Sequence, residues 1–129
     1  MRATRTQEMR PYVIVYLDPF SSPRNIKLVI ENVGRTPAWG LSFDCDQPLG
    51  AGIPGWDLRE RSSLFSSGLD FLAPGQKMEL FFGPLVAASE ESVVRKWQIT
   101  LTYAHQCGEE PHRETQTLDL DAFAGIMVG

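Results

Sequence analysis

The sequence predicts an all-β protein, an antiparallel β-sandwich of about seven strands with one short helix. Apolar and β-branched residues alternate with polar ones along most of the chain. Gly, Pro and Asn separate these runs, and one segment alone has a helical pattern. Many short strands with little helix are typical of sandwiches rather than of parallel α/β sheets. The 129 residues are 43% hydrophobic and 22% charged, which is the size and composition of one folded domain.

We expect three regions along the chain: residues 1–10 form a polar N-terminal arm, residues 11–122 the sandwich domain, and residues 123–129 a C-terminal tail. Three strands are predicted in the first half. Two of them, RPYVIVYL and NIKLVIENV, place Val, Ile and Leu on one face. The third, AWGLSFDC, sets four large or apolar side chains on a common face that we expect to point inward. Those four are Trp39, Leu41, Phe43 and Cys45.

The segment NVGRTP, residues 32–37, lies between the second and third strands. Asn and Gly tolerate positive φ and Pro fixes φ, so these residues suit a chain that leaves one strand and enters another. The Arg could instead bind an anion, but neither a Gly-rich loop nor a helix start lies nearby. We therefore interpret NVGRTP as a structural corner, with a positive φ at Gly34.

The second half of the chain begins with an irregular connection, residues 46–70, in which we expect a helical turn or a short edge strand near Trp56 to Phe65. Pro74 and Gly75 then predict a type II turn, with the glycine at positive φ, followed by the strand KMELFF. The segment VAASEESVV, residues 86–94, predicts a short helix. The strands KWQITLTYAH and RETQTLDLDA form a hairpin around the turn QCGEEPH.

Composition excludes several function classes. The net charge is −4 and the pI about 5.1, which argues against a general electrostatic grip on nucleic acid. The sequence holds neither a run of about 20 apolar residues nor the apolar core of a signal peptide. Two cysteines, Cys45 and Cys107, are too few for a disulfide scaffold, and we expect both to be reduced. These features predict a cytoplasmic protein without a membrane span.

Four segments carry a resemblance to a known group: RPYVIVYLDP, LVIENVGRTPAWGLSFD, FLAPGQ and LTYAHQCGEEPHRETQTLDLD. They resemble successive blocks of uncharacterised bacterial and phage proteins with an immunoglobulin-like β-sandwich. The resemblance covers Arg10 to about Asp121 and rests on strands and turns, so it implies a fold and no catalytic residues. In that group the domain often follows an N-terminal membrane helix and a charged linker. The stretch MRATRTQEM is similar to that linker, so we expect that the preceding helix has either been lost from this protein or been left out of this sequence.

Two motifs have a possible chemical meaning. GAGIPG matches the dinucleotide fingerprint G-x-G-x-x-G, but Pro54 and a poorly periodic segment stand where a helix on a parallel sheet is required. Four possible zinc ligands have the spacing His-x-Cys-x4-His after a distant Cys, which is unlike the usual zinc-finger spacings. These four are Cys45, His105, Cys107 and His112.

No pattern of a catalytic site is present in the sequence. Paired carboxylates fall at predicted strand ends, in a helix and in a turn, where acids are usually solvated. No Ser lies in a G-x-S-x-G elbow. The sequence therefore assigns no catalytic, cofactor-binding or metal-binding residue, and we expect a protein that is not an enzyme.

The function that these observations favour is an interaction module that binds a protein partner or a second copy of itself. Trp39 and Trp97 fall on predicted inner faces, whereas Trp56 lies in the irregular connection, where an exposed indole beside arginines would suit a partner. The connection could instead fold back on its own domain. A small ligand- or metal-binding sandwich that uses the Cys/His group is the alternative function. The predicted partner-binding residues are Trp56, Arg59, Arg61 and Phe65.

Overall fold

The structure, a computed structural model, describes residues 9–89 and 94–123. Most of the expected N-terminal arm and C-terminal tail lies outside these residues. The strands are β1 (Val13–Asp18), β2 (Asn25–Asn32), β3 (Ala38–Cys45), β4 (Leu69–Leu72), β5 (Lys77–Pro84), β6 (Lys96–Ala104) and β7 (His112–Asp119). The helices are α1 (Leu58–Arg61) and α2 (Ser63–Ser67), and two 3₁₀ helices span Leu85–Ser89 and Leu120–Phe123.

The seven strands form two sheets, ordered β1-β2-β5 and β4-β3-β6-β7, and every pairing is antiparallel. Both sheets contribute to one buried cluster, because alternate side chains along each strand point to the same side. The prediction of an all-β, antiparallel protein is therefore confirmed. Each large side chain that is fully buried contributes about 1.5–3 kcal/mol. The largest of them are Trp97, Tyr103, Phe82, Ile26, Leu28, Ile30, Leu41, Leu49, Leu72, Ile99, Leu101 and Leu118.

Side chains rather than a backbone ladder join β1 of one sheet to β7 of the other. The Val15 amide donates to Gln116 Oε1 at 2.9 Å, and Gln116 Nε2 donates to the Val13 carbonyl at 2.9 Å. The Val13 amide donates to the Tyr103 hydroxyl, which itself donates to Glu114 Oε1 at 2.8 Å. The backbone groups on this side of β1 are thus satisfied across about 100 residues of sequence.

Asn32 organises the corner between β2 and β3. Its side chain is fully buried, and Oδ1 accepts hydrogen bonds from the amides of Tyr12 at 3.1 Å and Gly34 at 2.9 Å. Nδ2 donates to the carbonyls of Thr36 at 2.9 Å and Leu72 at 3.1 Å. Burial removes these four backbone groups from water, and the Asn32 side chain supplies the hydrogen bonds that water would otherwise make. NVGRTP is a corner built around this side chain.

The glycines of the two turn motifs act in different ways. The expected positive φ at Gly34 is wrong, since the positive-φ glycines do not include it. A Cβ at this position would overlap the carbonyl of Arg10 and the amide of Tyr12, so glycine is required by close approach of the backbone. Gly75 has a φ of 80°, as predicted for its turn.

A β-bulge interrupts β3 near its start. The pairing of β3 with β6 shifts between Trp39 and Ser42. Two residues of β3, Gly40 and Leu41, therefore lie opposite one residue of β6, and Gly40 has a φ of 59°. Leu41 and the rest of the strand keep the predicted alternation, but the extra residue reverses it upstream, where Ala38 is buried and Trp39 is outside the core cluster. The prediction that Trp39 points inward is wrong.

The connection over residues 46–70 folds against its own domain. The buried carboxylate of Asp57 caps α1: its Oδ1 accepts from the amides of Leu49 at 2.9 Å and Arg59 at 3.0 Å. Burial favours the neutral acid, but hydrogen bonds from the Arg59 side chain and from these amides outweigh burial and lower the pKa of Asp57. The carboxylate is therefore an ionised anchor for the loop.

Two further expectations from sequence concern helices. No helix opens at GAGIPG, because α1 begins only at Leu58, and so the context of a dinucleotide site is missing there. The helix expected over residues 86–94 appears as the 3₁₀ helix Leu85–Ser89, and residues 90–93 lie outside the described part. In the ranges that the structure describes, no helix is long and apolar enough to cross a membrane.

Candidate functional site

Trp56, the centre of the surface expected from sequence, is partly buried against the domain itself. Its ring meets Phe81 edge-on, with 5.5 Å between centroids, and the Arg61 guanidinium lies 4.8 Å from the indole centroid. Gly50 leaves room for the ring, since a Cβ there would contact it. Within the described residues the indole Nε1 is buried without a hydrogen-bond partner. Trp56 thus has an aromatic and a cationic neighbour on its own chain.

The other two expected residues also contact the domain. Arg59 pairs with Asp57, with 3.1 Å between Nη2 and Oδ2, and donates to the Cys45 carbonyl at 3.3 Å. Phe65 packs against Phe43 with ring centroids 5.4 Å apart. Trp56 and Phe65 thus pack against the core, while Arg59 and Arg61 contact Asp57 and Trp56 of the same connection. A role of the four residues in binding a partner stays a prediction.

A different aromatic pair is directed away from the core. Trp39 and Phe71 lie opposite each other on β3 and β4, with ring centroids 4.8 Å apart and an interplanar angle of 67°. Phe71 is 41% exposed, and neither ring belongs to the core cluster. The bulge at Gly40 is the reason, since it moves Trp39 to the outer side of the sheet.

This aromatic pair borders a cavity of about 440 Å³ on the outer side of the four-stranded sheet. β3 and β4 supply one side, and the end of β6 with the turn that follows it supplies the other. We call this the Trp39 groove. It is lined by Trp39, Gly40, Asp70, Phe71, Ala104, Cys107, Gly108, Glu109 and Pro111.

The charges at the Trp39 groove are all negative. Asp70 and Glu109 are its charged lining residues, and no Lys, Arg or His lines it in the described part of the chain. A second cavity of about 430 Å³ adjoins it and shares Trp39, Cys107 and Glu109. That second cavity also contacts Met9, Arg10 and His105.

Two stacked histidines stand at the base of the β6–β7 turn. The imidazoles of His105 and His112 are 4.3 Å apart with an interplanar angle of 29°, and His112 Nε2 lies 3.7 Å from Glu109 Oε1. Burial lowers the pKa of His105, and the nearby His112 and Arg10 lower it further, while Glu109 and Glu114 act in the opposite direction. His105 is therefore held in its neutral form more strongly than a free histidine.

The proposed zinc ligands do not converge. Cys45 is buried and pairs with Ile99 at the far end of β3, whereas Cys107 is exposed in the turn beyond Ala104. Both cysteines are free. Among residues 9–89 and 94–123, no three His, Cys, Asp or Glu side chains are grouped so that they could hold a metal ion. Within the same ranges no hydrogen bond joins Cys107 to either histidine, so the geometry of an activated thiol is also missing.

Residues 1–124 match the model of a family described as Domain of unknown function (DUF8453). The chain belongs to this family. No curated protein and no solved structure matches it. The candidate surface of this DUF8453 member is therefore identified from the geometry of its own residues.

Sequence reasoning missed the Trp39 groove of this DUF8453 domain. The signal that could have revealed it is the glycine inside the segment AWGLSF, since an isolated Gly in a strand pattern often marks a bulge. A bulge there reverses the side of the preceding Trp39. The contribution of Phe71 and the β6–β7 turn could not be found this way, because it depends on which strands become neighbours.

Proposed function

We propose that the domain is a non-catalytic interaction module with an immunoglobulin-like fold that binds a protein partner through the Trp39 groove. The observation that carries the proposal is the outward-facing pair of Trp39 and Phe71 at the wall of an apolar cavity. Binding energy at protein interfaces is concentrated in a few aromatic and Arg residues that fill or line pockets.

The strand arrangement supports the immunoglobulin-like part of this proposal. Seven antiparallel strands in sheets of three and four, with one shared core, match the architecture of that class. The resemblance to bacterial and phage proteins points to the same fold and to a bacterial or phage source. Many domains with this architecture serve recognition at the cell surface, although the fold alone does not assign a function.

Trp39 and Trp56 differ in what covers them, and this difference supports placing the interface at Trp39. Trp56 already contacts Phe81 and Arg61. Trp39 contacts Phe71, which is itself exposed, and both side chains line the Trp39 groove. Large apolar side chains that a domain leaves at a concave surface are typical of sites that a partner covers.

The test is capture of a partner followed by reconstitution. Tagged domain is used to isolate binding proteins from the source cells, these are identified by mass spectrometry, and each is then purified and titrated against the domain. We expect Trp39→Ala to weaken a genuine complex by roughly 30-fold, the effect of losing an interface hot spot. Its melting temperature should stay within a few degrees of the wild-type value, because Trp39 is outside the core.

Val86→Ser is the matched control, since Val86 is 63% exposed on the 3₁₀ helix and does not line the groove. It should leave affinity unchanged. Trp56→Ala tests the surface expected from sequence, and sedimentation velocity tests self-association. A complex that survives Trp39→Ala and Phe71→Ser but is lost in Trp56→Ala would refute the groove and restore the sequence-based prediction.

A further inference from the structure

We infer that the Trp39 groove binds one arginine or lysine side chain from an extended segment of the partner. This inference rests on the proposed function and specifies the chemistry of the partner. Three observations support it: the aromatic rings that line the groove, the carboxylates that line it, and the arginines that lie over other aromatic rings of the domain.

The aromatic wall suits a cation. A guanidinium or ammonium group is attracted to the face of an aromatic ring within about 6 Å, and Trp is the strongest of the aromatic partners. Trp39 and Phe71 both line the cavity, with 67° between their ring planes, so a side chain that enters it lies beside two aromatic rings. A cavity of about 440 Å³ accepts a long side chain with its apolar stem.

The carboxylates supply the matching charge. Asp70 neighbours Phe71 on β4, and Glu109 lies across the groove in the β6–β7 turn. In the described residues Asp70 has no ion pair or hydrogen bond from its side chain, and the ion-pair partner of Glu109 is His112, which is charged only when protonated. A cation bound between the two carboxylates would form a charge-assisted hydrogen bond or ion pair with each of them. The described residues of the domain do not supply such a permanently charged partner.

The domain already places arginines over other aromatic rings. The Arg61 guanidinium lies 4.8 Å from the centroid of Trp56, and that of Arg10 lies 5.1 Å from the centroid of Tyr12. Over the part of the chain that the structure describes, no cation of the domain lies over the ring of Trp39. A partner's cation over Trp39 would therefore repeat a contact that this chain makes twice with its own residues.

The position of β4 explains why the segment should be extended. β4 is the outer strand of the four-stranded sheet, paired on one side by β3 alone. A partner strand that runs beside such an edge projects alternate side chains toward one face, and one of them can enter a neighbouring pocket. A cationic residue at that point would reach Asp70 and Phe71 together.

The experiment uses nine-residue capped peptides of Gly and Ser that carry one central residue: arginine, lysine, citrulline or leucine. Citrulline keeps the shape of arginine and removes its charge. Each peptide is titrated into isotope-labelled full-length domain while the indole N–H resonances of the three tryptophans are followed by NMR. We expect the arginine and lysine peptides to shift the Trp39 resonance with saturation, and citrulline to bind at least 5-fold more weakly.

Two variants and a second readout complete the test. Asp70→Asn with Glu109→Gln should weaken the arginine peptide at least 5-fold, whereas Glu110→Gln, an exposed neighbour outside the groove, should not. The arginine peptide should also slow alkylation of Cys107, which lines the groove, with no effect on buried Cys45.

The outcomes separate the two proposals. If the leucine peptide binds as tightly as the arginine peptide, or if removing both carboxylates has no effect, the cation inference is wrong and the interaction module stands. If no peptide shifts Trp39 at millimolar concentration, the cation inference is also wrong. Failure of the proposed function is measured separately: it would be shown by a reconstituted complex whose affinity Trp39→Ala does not change.

Discussion

Replacing Asn32 with Ala should destabilise the domain more than most single substitutions. The change removes four hydrogen bonds at once, to the amides of Tyr12 and Gly34 and the carbonyls of Thr36 and Leu72. The Leu72 carbonyl is buried, and leaving such a group without a partner costs about 1–3 kcal/mol. The other three groups are partly buried and recover some hydration, at a cost of about 0.5–1.5 kcal/mol each.

The expected loss for Asn32→Ala is therefore about 4 kcal/mol, out of a total stability of roughly 5–15 kcal/mol for a domain of this kind. That corresponds to a fall in melting temperature of about 15 °C. Urea unfolding monitored by tryptophan fluorescence measures the loss, and Asn25→Ala provides the control because Asn25 is at the start of β2 and makes no side-chain hydrogen bond in the described residues.

Asn32→Asp separates the two halves of the amide. Aspartate keeps both acceptor positions but turns Nδ2, which donates to two carbonyls, into an oxygen that faces them. We expect a loss at neutral pH comparable to that of Ala, and a partial recovery when the carboxyl is protonated. A loss below about 1.5 kcal/mol in Asn32→Ala would refute the claim that this side chain holds the corner together.

Two further predictions concern the corner and the histidine pair. Gly34→Ala should cost about 1–3 kcal/mol because its Cβ would overlap backbone atoms, whereas Gly108→Ala, with φ at 82° and open space around it, should cost only about 1 kcal/mol; equal losses in thermal melts would contradict the steric reading. His105 has a lowered pKa in the folded protein, so its contribution is complete above its ordinary value of 6.5 and stability falls as pH drops from there through the folded pKa. Melting temperatures between about pH 7.5 and 5.5 should therefore fall less steeply in His105→Gln than in wild type, and identical slopes would show that His105 does not titrate in this way.

The strands could be predicted from sequence because a half-buried strand shows a period of two without reference to its partner. The alternate residues expected to point inward on β1 and β6 are buried: Val13, Val15, Leu17, Trp97, Ile99, Leu101 and Tyr103. The turn at Gly75 was also readable, since its chemistry is local. Local patterns are sufficient wherever neighbouring residues alone decide the conformation.

The rest of the fold depends on residues far apart in sequence. The hydrogen bonds of Gln116 with Val13 and Val15 span about 100 residues, and no local pattern in the sequence predicts them. The connection over residues 46–70 has no repeat, because Asp57 organises it by hydrogen bonds rather than by alternation. The Trp39 groove was missed for the same reason: a shift in pairing with β6 decides which side of the sheet Trp39 occupies.

The bulge at Gly40 divides the residues of β3 by the physical constraint on each. From Leu41 onward each inward residue is constrained by the core, where a smaller side chain would leave a void. Trp39 lies on the other side of the bulge, so a substitution there changes the surface and leaves the interior filled. A substitution at Trp39 should therefore change the proposed binding surface without a loss of folding. If β3 ran through Gly40 without the bulge, that freedom would be lost, since Trp39 would then share the side of Leu41 and point to the interior.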